Sequence, residues 1–157
     1  MSVCSDWPKN SRMTTINKSA LVPYSPAEMF ALVDDIDAYP EFLPGCRRTE
    51  VHSRSDDEVR ATIELSKGGV EKAFTTCNRS QQNKMIEVRL IEGPFKHLNG
   101  FWRFDALGED GCKVSFDLEF EFASRVLGAV VGPVFSQIAN SLVDSFMKRA
   151  VQVYGKR

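Results

Sequence analysis

The sequence predicts an α+β domain in which a curved, seven-stranded antiparallel sheet packs around one long C-terminal helix, with two short helices after the first strand. Three observations support this prediction. Six runs of strand type follow residue 45, and the short joints between them require antiparallel neighbours. The last of these runs alternates between apolar and polar residues. Beyond Ala123 the apolar spacing becomes helical and stays so to Ala150.

The start of the chain is polar and shows no periodicity over residues 1–12. This stretch is consistent with a disordered leader, or with a start codon assigned too early and Met13 as the natural start. We therefore place a single domain over residues 13–157, because a chain of this length has the usual size of one domain.

The first strand is predicted at residues 14–22, which alternate moderately and are rich in β-branched side chains. Ser25 then suits the N-cap of a helix, with Pro26 at the first helical position and Glu28 at the third. These signals predict a short helix over residues 26–33.

A second short helix is predicted over residues 37–42 and is ended by Pro44 and Gly45. The stretch Tyr-Pro-Glu-Phe-Leu-Pro at residues 39–44 places two aromatic rings and a leucine in a compact turn framed by prolines. Such a turn suits a plug at one end of a barrel-like core.

Six further strands are separated by joints with turn-forming residues. Alternation gives most of these strands one apolar face, as a sheet with one buried and one wet face requires. Between residues 70 and 79 neither set of alternate residues is consistently apolar, so the inner face of that run stays undetermined. The strands are predicted at residues 46–54, 57–66, 70–79, 84–92, 96–106 and 112–122.

The C-terminal helix carries apolar residues at three- and four-residue spacing over about 24 residues. Pro133 lies in this stretch and is expected to start a new helical segment or to kink a continuous one. A strongly curved sheet around such a helix can leave an apolar tunnel between the two. The sequence leaves open whether side chains fill that space completely.

Composition argues against several classes of protein. The 20 basic residues are balanced by 21 acidic ones, so the overall charge does not indicate a DNA-binding or RNA-binding protein. The four cysteines stand singly, which argues against a disulfide framework and against a zinc site. No apolar stretch is long enough for an integral membrane segment and no secretory signal is visible, so we expect a cytoplasmic protein.

No catalytic constellation is predicted. The only histidines, His52 and His97, lie on or beside predicted strands and have no nucleophile close to them in the sequence. No glycine-rich phosphate loop leads from a strand into a helix.

Several segments carry a resemblance to a known family. They lie at residues 19–25, 39–46, 93–104 and 114–122, and Tyr-Pro-Glu-Phe-Leu-Pro-Gly-Cys at residues 39–46 is the most specific. Over essentially residues 13–154 the chain resembles the START-like, Bet v 1-type helix-grip proteins, in the branch called polyketide cyclase/dehydrase or coenzyme Q-binding proteins. Within that branch it is similar to the bacterial ribosome-association toxins.

The resemblance implies two activities that differ in kind. Mitochondrial members are lipid-binding proteins that chaperone ubiquinone, whereas the bacterial toxins bind the large ribosomal subunit and block subunit joining. We therefore expect a non-enzymatic protein that binds a quinone such as ubiquinone or a lipid, needs no cofactor and inhibits ribosome association. Two alternatives stay open: a ubiquinone chaperone without a ribosomal role, and a polyketide cyclase-like enzyme.

Large apolar residues in the proline-framed loops and along the tunnel are the candidate ligand contacts. Residues 39–43 would form a mouth and residues 95–102 the next rim, and an exposed apolar opening usually has a function. The candidates are Tyr39, Phe42, Leu43, Phe95, Leu98, Trp102, Phe116, Phe120, Phe135, Ile138 and Leu142.

Arginines near this opening are the candidate ribosome contacts, because they would place positive charge beside the apolar mouth. Basic residues at the end of the last helix need no partner, since they complement the carbonyl end of the helix dipole. The candidates are Arg47, Arg48, Arg54 and Arg60.

Overall fold

Seven strands and four helices make up residues 13–157, the part of the chain that the computed structural model describes. Residues 1–12 lie outside the described residues, so the structure does not bear on the two interpretations of this stretch, a disordered leader or a natural start at Met13. The strands are β1 (Thr14–Val22), β2 (Cys46–Arg54), β3 (Glu58–Lys67), β4 (Val70–Gln81), β5 (Met85–Glu92), β6 (Phe95–Leu107) and β7 (Gly111–Phe122). The helices are α1 (Pro26–Asp34), α2 (Tyr39–Phe42), α3 (Arg125–Asn140) and α4 (Leu142–Tyr154), with a 3-10 turn at Ile36–Ala38.

All seven strands belong to one antiparallel sheet, in the order β1-β7-β6-β5-β4-β3-β2. Strands β2 to β7 form the predicted meander, and β1 completes the sheet by pairing with β7, for example Ile16 with Leu118. Register shifts on β2, β5 and β6 each insert an extra residue, which increases the local twist. The sheet curves, and its inner face carries the core.

The inner face of β4, which the sequence left undetermined, is formed by Phe74, Thr76 and Asn78. Thr76 is buried, and its hydroxyl donates a hydrogen bond of 2.9 Å to Oδ1 of Asn78. Two polar residues therefore stand on the core side of the strand. This explains why the alternation of β4 is not apolar on either face.

The C-terminal helix is broken into α3 and α4, which corrects the prediction of one long helix. The two helices meet at Ser141 and are bent by 41°. There, the hydroxyl and the backbone N–H of Ser141 both donate to the carbonyl of Ile138, at 2.8 and 3.1 Å, which replaces the regular helical hydrogen bond. Pro133, the expected break, lies inside α3 without ending it. Between residues 13 and 157 no single helix is long and apolar enough to cross a membrane, although the bent pair passes that test by length and composition.

A set of polar contacts, here called the C-terminal clasp, joins the end of α4 to the start of α1. The predicted capping box is present, since Ser25 and Glu28 exchange hydrogen bonds of 3.1 and 2.9 Å. Both carboxylate oxygens of Glu28 also accept from the guanidinium of Arg157, at 2.7 and 2.8 Å. The hydroxyl of Tyr154 donates to the carbonyl of Glu28, and that of Tyr24 to the carbonyl of Gly155. The clasp therefore fixes the C-terminal end of α4 against α1.

Acid is expected to weaken the clasp. The hydrogen bond from Arg157, followed by that from Ser25, lowers the pKa of Glu28 from 4.5 to about 2. A carboxyl with a depressed folded-state pKa adds stability above its unfolded pKa, and this contribution disappears as the pH falls from 4.5 towards about 2. The replacement Glu28→Gln should remove this acid-dependent part, about 1 kcal/mol because the pair is solvent-accessible.

Thermal denaturation followed by circular dichroism between about pH 5 and pH 3 measures the effect. The melting temperature of Glu28→Gln should fall less steeply than that of the wild type. Glu41→Gln is the matched control, since Glu41 is well exposed and its ion-pair partner among residues 13–157 is Arg149. Parallel curves for wild type and Glu28→Gln would contradict the expectation.

Candidate ligand-binding site

A cavity of about 110 Å³ lies between the inner face of the sheet and helices α3 and α4. Side chains therefore leave part of the expected tunnel unfilled. For comparison, an apolar cavity of about 150 Å³ is large enough to bind benzene. The cavity is of the order needed for one small ring.

Most of the candidate ligand contacts line this cavity. They come from the turn at α2, from β6 and β7, and from the two C-terminal helices. The candidates in the lining are Tyr39, Leu43, Leu98, Trp102, Phe116, Phe135, Ile138 and Leu142. Phe42, Phe95 and Phe120 lie outside the lining.

Aromatic packing explains the position of Phe95 and Phe120. Both rings pack against Phe135, with centroid distances of 5.0 and 4.7 Å. Phe95 also stacks on Phe122 at 4.9 Å. Phe95, Phe120 and Phe122 therefore form a cluster behind Phe135. Of these four rings, Phe135 alone lines the cavity.

The proline-framed turn packs into the core rather than forming an exposed mouth. Tyr39 and Leu43 are 8% and 7% exposed. Phe42 packs edge-on against Phe146 at 5.2 Å, and the guanidinium of Arg149 covers its ring at 4.9 Å. The turn therefore closes this end of the core, as the plug interpretation expected.

The cavity lining also contains residues that are not among the sequence-predicted ligand contacts, including Thr76, Asn78 and Gly100. The irregular alternation of β4 was the signal for the first two. Gly100 lies on the inner face of β6, where an added Cβ would approach Val88 to 3.3 Å and Leu118 to 3.4 Å. Neighbouring side chains therefore pack directly against the backbone of Gly100 and leave little room for a side chain there.

The chemistry of the lining is almost entirely apolar. Among the described residues that form it, none carries a carboxylate, an imidazole or an amino group. The hydroxyl of Tyr39 donates to the carbonyl of Val33, and burial raises its pKa. Burial also raises the pKa of Cys46 to about 11, so this thiol stays protonated and unreactive at neutral pH.

The two histidines lie away from the cavity. His52 is within 2.7 Å of the hydroxyl of Thr62 on the exposed side of the sheet, and His97 contacts the side chain of Asn99. Within residues 13–157 no group of three or more His, Cys, Asp or Glu side chains is placed to hold a metal ion.

Carboxylates neutralise the four candidate arginines, which lie on β2 and β3 at one edge of the sheet. A β-bulge between Cys46 and Arg48 brings two consecutive arginines next to Glu64. The positive charge expected beside the opening is therefore balanced locally. The pairs are Arg47 with Glu71 at 2.7 Å and Glu64 at 3.7 Å, Arg48 with Glu64 at 3.3 Å, Arg54 with Asp34 at 3.0 Å, and Arg60 with Glu58 at 3.6 Å.

Known proteins are similar in sequence to this chain over nearly its whole length. Residues 22–147 match the family described as polyketide cyclase/dehydrase and lipid transport. The chain is 44% identical over 142 residues to the ribosome association toxin RatA of Pseudomonas aeruginosa, covering 90% of this chain and 99% of the relative. It is 25% identical over 151 residues to the mitochondrial coenzyme Q-binding protein COQ10 homolog B of Xenopus laevis, covering 94% of this chain and 62% of the relative.

Solved structures share the architecture at lower identity. A START superfamily protein from Mycobacterium smegmatis superposes with a TM-score of 0.74 at 21% identity, over 88% of this chain and 98% of that protein. The Zhui aromatase/cyclase from Streptomyces sp. R1128 superposes with a TM-score of 0.77 at 15% identity, over 92% and 99%. These likenesses confirm the predicted START-like fold. The match over residues 22–147 and the 44% identity to the RatA protein of Pseudomonas aeruginosa establish that the chain belongs to the polyketide cyclase/dehydrase and lipid transport family.

Proposed function

We propose that this chain is a non-enzymatic binding protein that holds an apolar ligand in its cavity and inhibits the association of ribosomal subunits. The observation that carries the ribosomal part is the 44% identity, over nearly the full length of both chains, to a protein named as a ribosome association toxin. The ligand-binding part is supported by the apolar cavity and by the more distant relative named as a coenzyme Q-binding protein.

The size of the cavity limits what it holds. Pockets for drug-sized ligands usually enclose about 300–1,000 Å³, whereas this one encloses about 110 Å³. A quinone ring or a short segment of lipid suits that space, and the rest of a longer molecule would extend beyond it. We therefore propose that the cavity receives the ring or one end of the ligand.

Two other functions rank lower. A ubiquinone chaperone without a ribosomal role is supported by the coenzyme Q-binding relative, but at 25% identity rather than 44%. A cyclase-like enzyme is suggested by structural neighbours such as the Zhui aromatase/cyclase. At 15% identity this likeness is evidence for a shared fold and not for a shared reaction. The described residues of the lining also offer no ionised group for acid–base chemistry.

For the ribosomal contact we propose the edge formed by Arg47 and Arg48. Both side chains are more than half exposed despite their ion pairs. An RNA phosphate could replace Glu64 or Glu71 as their partner, because guanidinium groups bind phosphate and carboxylate with similar geometry.

Overproduction of the protein in bacterial cells is expected to shift ribosomes from the joined form to free subunits. Sucrose-gradient profiles of cell extracts measure this shift. Cells that overproduce the double replacement Arg47→Glu/Arg48→Glu should show the same profile as uninduced cells. The two glutamates would place negative charge against the phosphate backbone of the ribosomal RNA and prevent binding.

The matched control for this experiment is Arg89→Glu/Arg103→Glu on the exposed side of β5 and β6, which changes the net charge equally. The control should still shift the ribosomes. An unchanged profile with soluble, overproduced wild-type protein would refute inhibition of subunit association. Retained activity in the Arg47/Arg48 variant would refute only the proposed contact.

A further inference from the structure

A polar pair on the inner face of β4 is the least expected feature of the cavity. Asn78 stands between Val59 on β3 and Val88 on β5 in the sheet register, and Thr76 is opposite Ala61. All of these neighbours are apolar. An amide among apolar neighbours costs stability unless its hydrogen-bonding groups find partners.

The hydrogen bonds of this pair are only partly satisfied. Thr76 is 1% exposed, and its hydroxyl donates to Oδ1 of Asn78 at 2.9 Å, which orients the amide. Among the described residues, no side chain or carbonyl accepts a hydrogen bond from Nδ2 of Asn78. The amide therefore presents a donor to the cavity that it lines.

Space for a ligand lies beside that donor. Asn78 pairs with Val88 and Val88 pairs with Gly100, so the three residues form one row across the sheet. Asn78 and Gly100 are thus two strand spacings apart, roughly 10 Å. All three residues line the cavity, so a ring bound there would lie over this row and direct a substituent towards the Asn78 amide.

We propose that Asn78, oriented by Thr76, is a specificity-determining residue that donates a hydrogen bond to an acceptor oxygen of the ligand. The cavity then selects a ring that carries a carbonyl oxygen over a hydrocarbon of the same shape. This inference rests on the proposed ligand-binding function and adds the chemical class of the group that enters the cavity.

The test compares two probes of nearly identical shape, acetophenone and α-methylstyrene, which differ in a carbonyl oxygen and a methylene group. Dissociation constants for the wild-type protein and for Asn78→Leu are measured by NMR titration. Leucine has the same number of side-chain heavy atoms and the same branching as asparagine, so the replacement removes the amide while keeping a branched side chain. The ratio of the two dissociation constants then isolates the lost hydrogen bond, because added bulk affects two probes of the same shape alike. Acetophenone should bind roughly 3- to 10-fold more weakly to Asn78→Leu, the range of one neutral hydrogen bond, while α-methylstyrene keeps its affinity.

Two further variants separate recognition from structure. Asn99→Leu on the exposed side of β6 is the matched control and should leave the ratio of the two constants unchanged. Thr76→Val removes the hydroxyl that orients the amide, and should lower the preference for acetophenone less than Asn78→Leu does. It also serves as the test if Asn78→Leu fails to fold.

The melting temperature provides an independent readout. A purely structural Asn78 would make Asn78→Leu less stable and weaken both probes equally. Recognition predicts an equal or higher melting temperature with a selective loss for acetophenone, because leucine suits the apolar neighbours better. Unchanged relative affinities in Asn78→Leu and Thr76→Val would overturn the role of Asn78 and leave the cavity proposal intact. Failure of the wild type to bind either probe would overturn both.

Discussion

Truncation of Phe146 to alanine is expected to lower the free energy of unfolding by about 3–5 kcal/mol. The ring is 1% exposed and contacts Tyr39, Phe42 and Trp102 at centroid distances of 5.5, 5.2 and 5.3 Å. Phe146 thus connects α4 with the proline-framed turn and with β6. Its removal also adds empty volume to a region that already contains a cavity, so relaxation of the neighbours would recover little of the loss.

Urea denaturation of the wild type and of Phe146→Ala measures this loss. The slope of the transition should stay the same while its midpoint falls. Val153→Ala is the control on the same helix, because Val153 is 50% exposed and its truncation should change stability by less than about 0.5 kcal/mol. If the free energy of unfolding of Phe146→Ala falls by less than about 1 kcal/mol, Phe146 does not hold α4 against the turn and β6 as its packing indicates.

Replacement of Leu142 by tryptophan is expected to reduce the amount of bound ligand roughly 10-fold, which corresponds to about 1.4 kcal/mol. Leu142 is the first residue of α4 and lines the cavity. A larger side chain at this position would occupy the space that we assign to the ligand. Organic extraction of the purified proteins, followed by mass spectrometry, measures the quinone or lipid that remains with each.

Stability distinguishes a blocked cavity from an overpacked core. In a completely filled core the extra atoms would cost about 1–3 kcal/mol, whereas an indole that enters empty space should cost less. Val130→Trp on the exposed side of α3 is the matched control and should keep its ligand. Equal ligand content in Leu142→Trp and wild type would remove Leu142 from the ligand contacts, and no extractable ligand in the wild type would weaken the cavity proposal itself.

Local sequence signals predicted the fold because each of them has a direct physical consequence. The short joints between β2 and β7 require a meander, and the strict alternation of β7 fixes its buried face. The capping box at Ser25 sets the start of α1. The break between α3 and α4 escaped prediction because it depends on side-chain hydrogen bonds at Ser141, whereas the more conspicuous Pro133 is accommodated inside α3.

The site was harder to predict, because it depends on where side chains leave space. Periodicity identifies Phe95, Phe120 and Phe135 equally well as inward-facing residues, but only their mutual packing decides that Phe135 reaches the cavity. Gly100 lies in the lining although it has no side chain, and no hydrophobic pattern identifies such a position. The apolar pattern does not predict Asn78 as a ligand contact, because an amide is not a large apolar side chain.

The carboxylates around the arginines of β2 have a consequence for any polyanion that docks at this edge. Arg47 and Arg48 would leave Glu64 and Glu71, and these acidic groups would then attract cations from solution. The cations taken up by these carboxylates would offset part of the counterions that the polyanion releases when the arginines bind it. The affinity for the polyanion would therefore change only weakly with ionic strength.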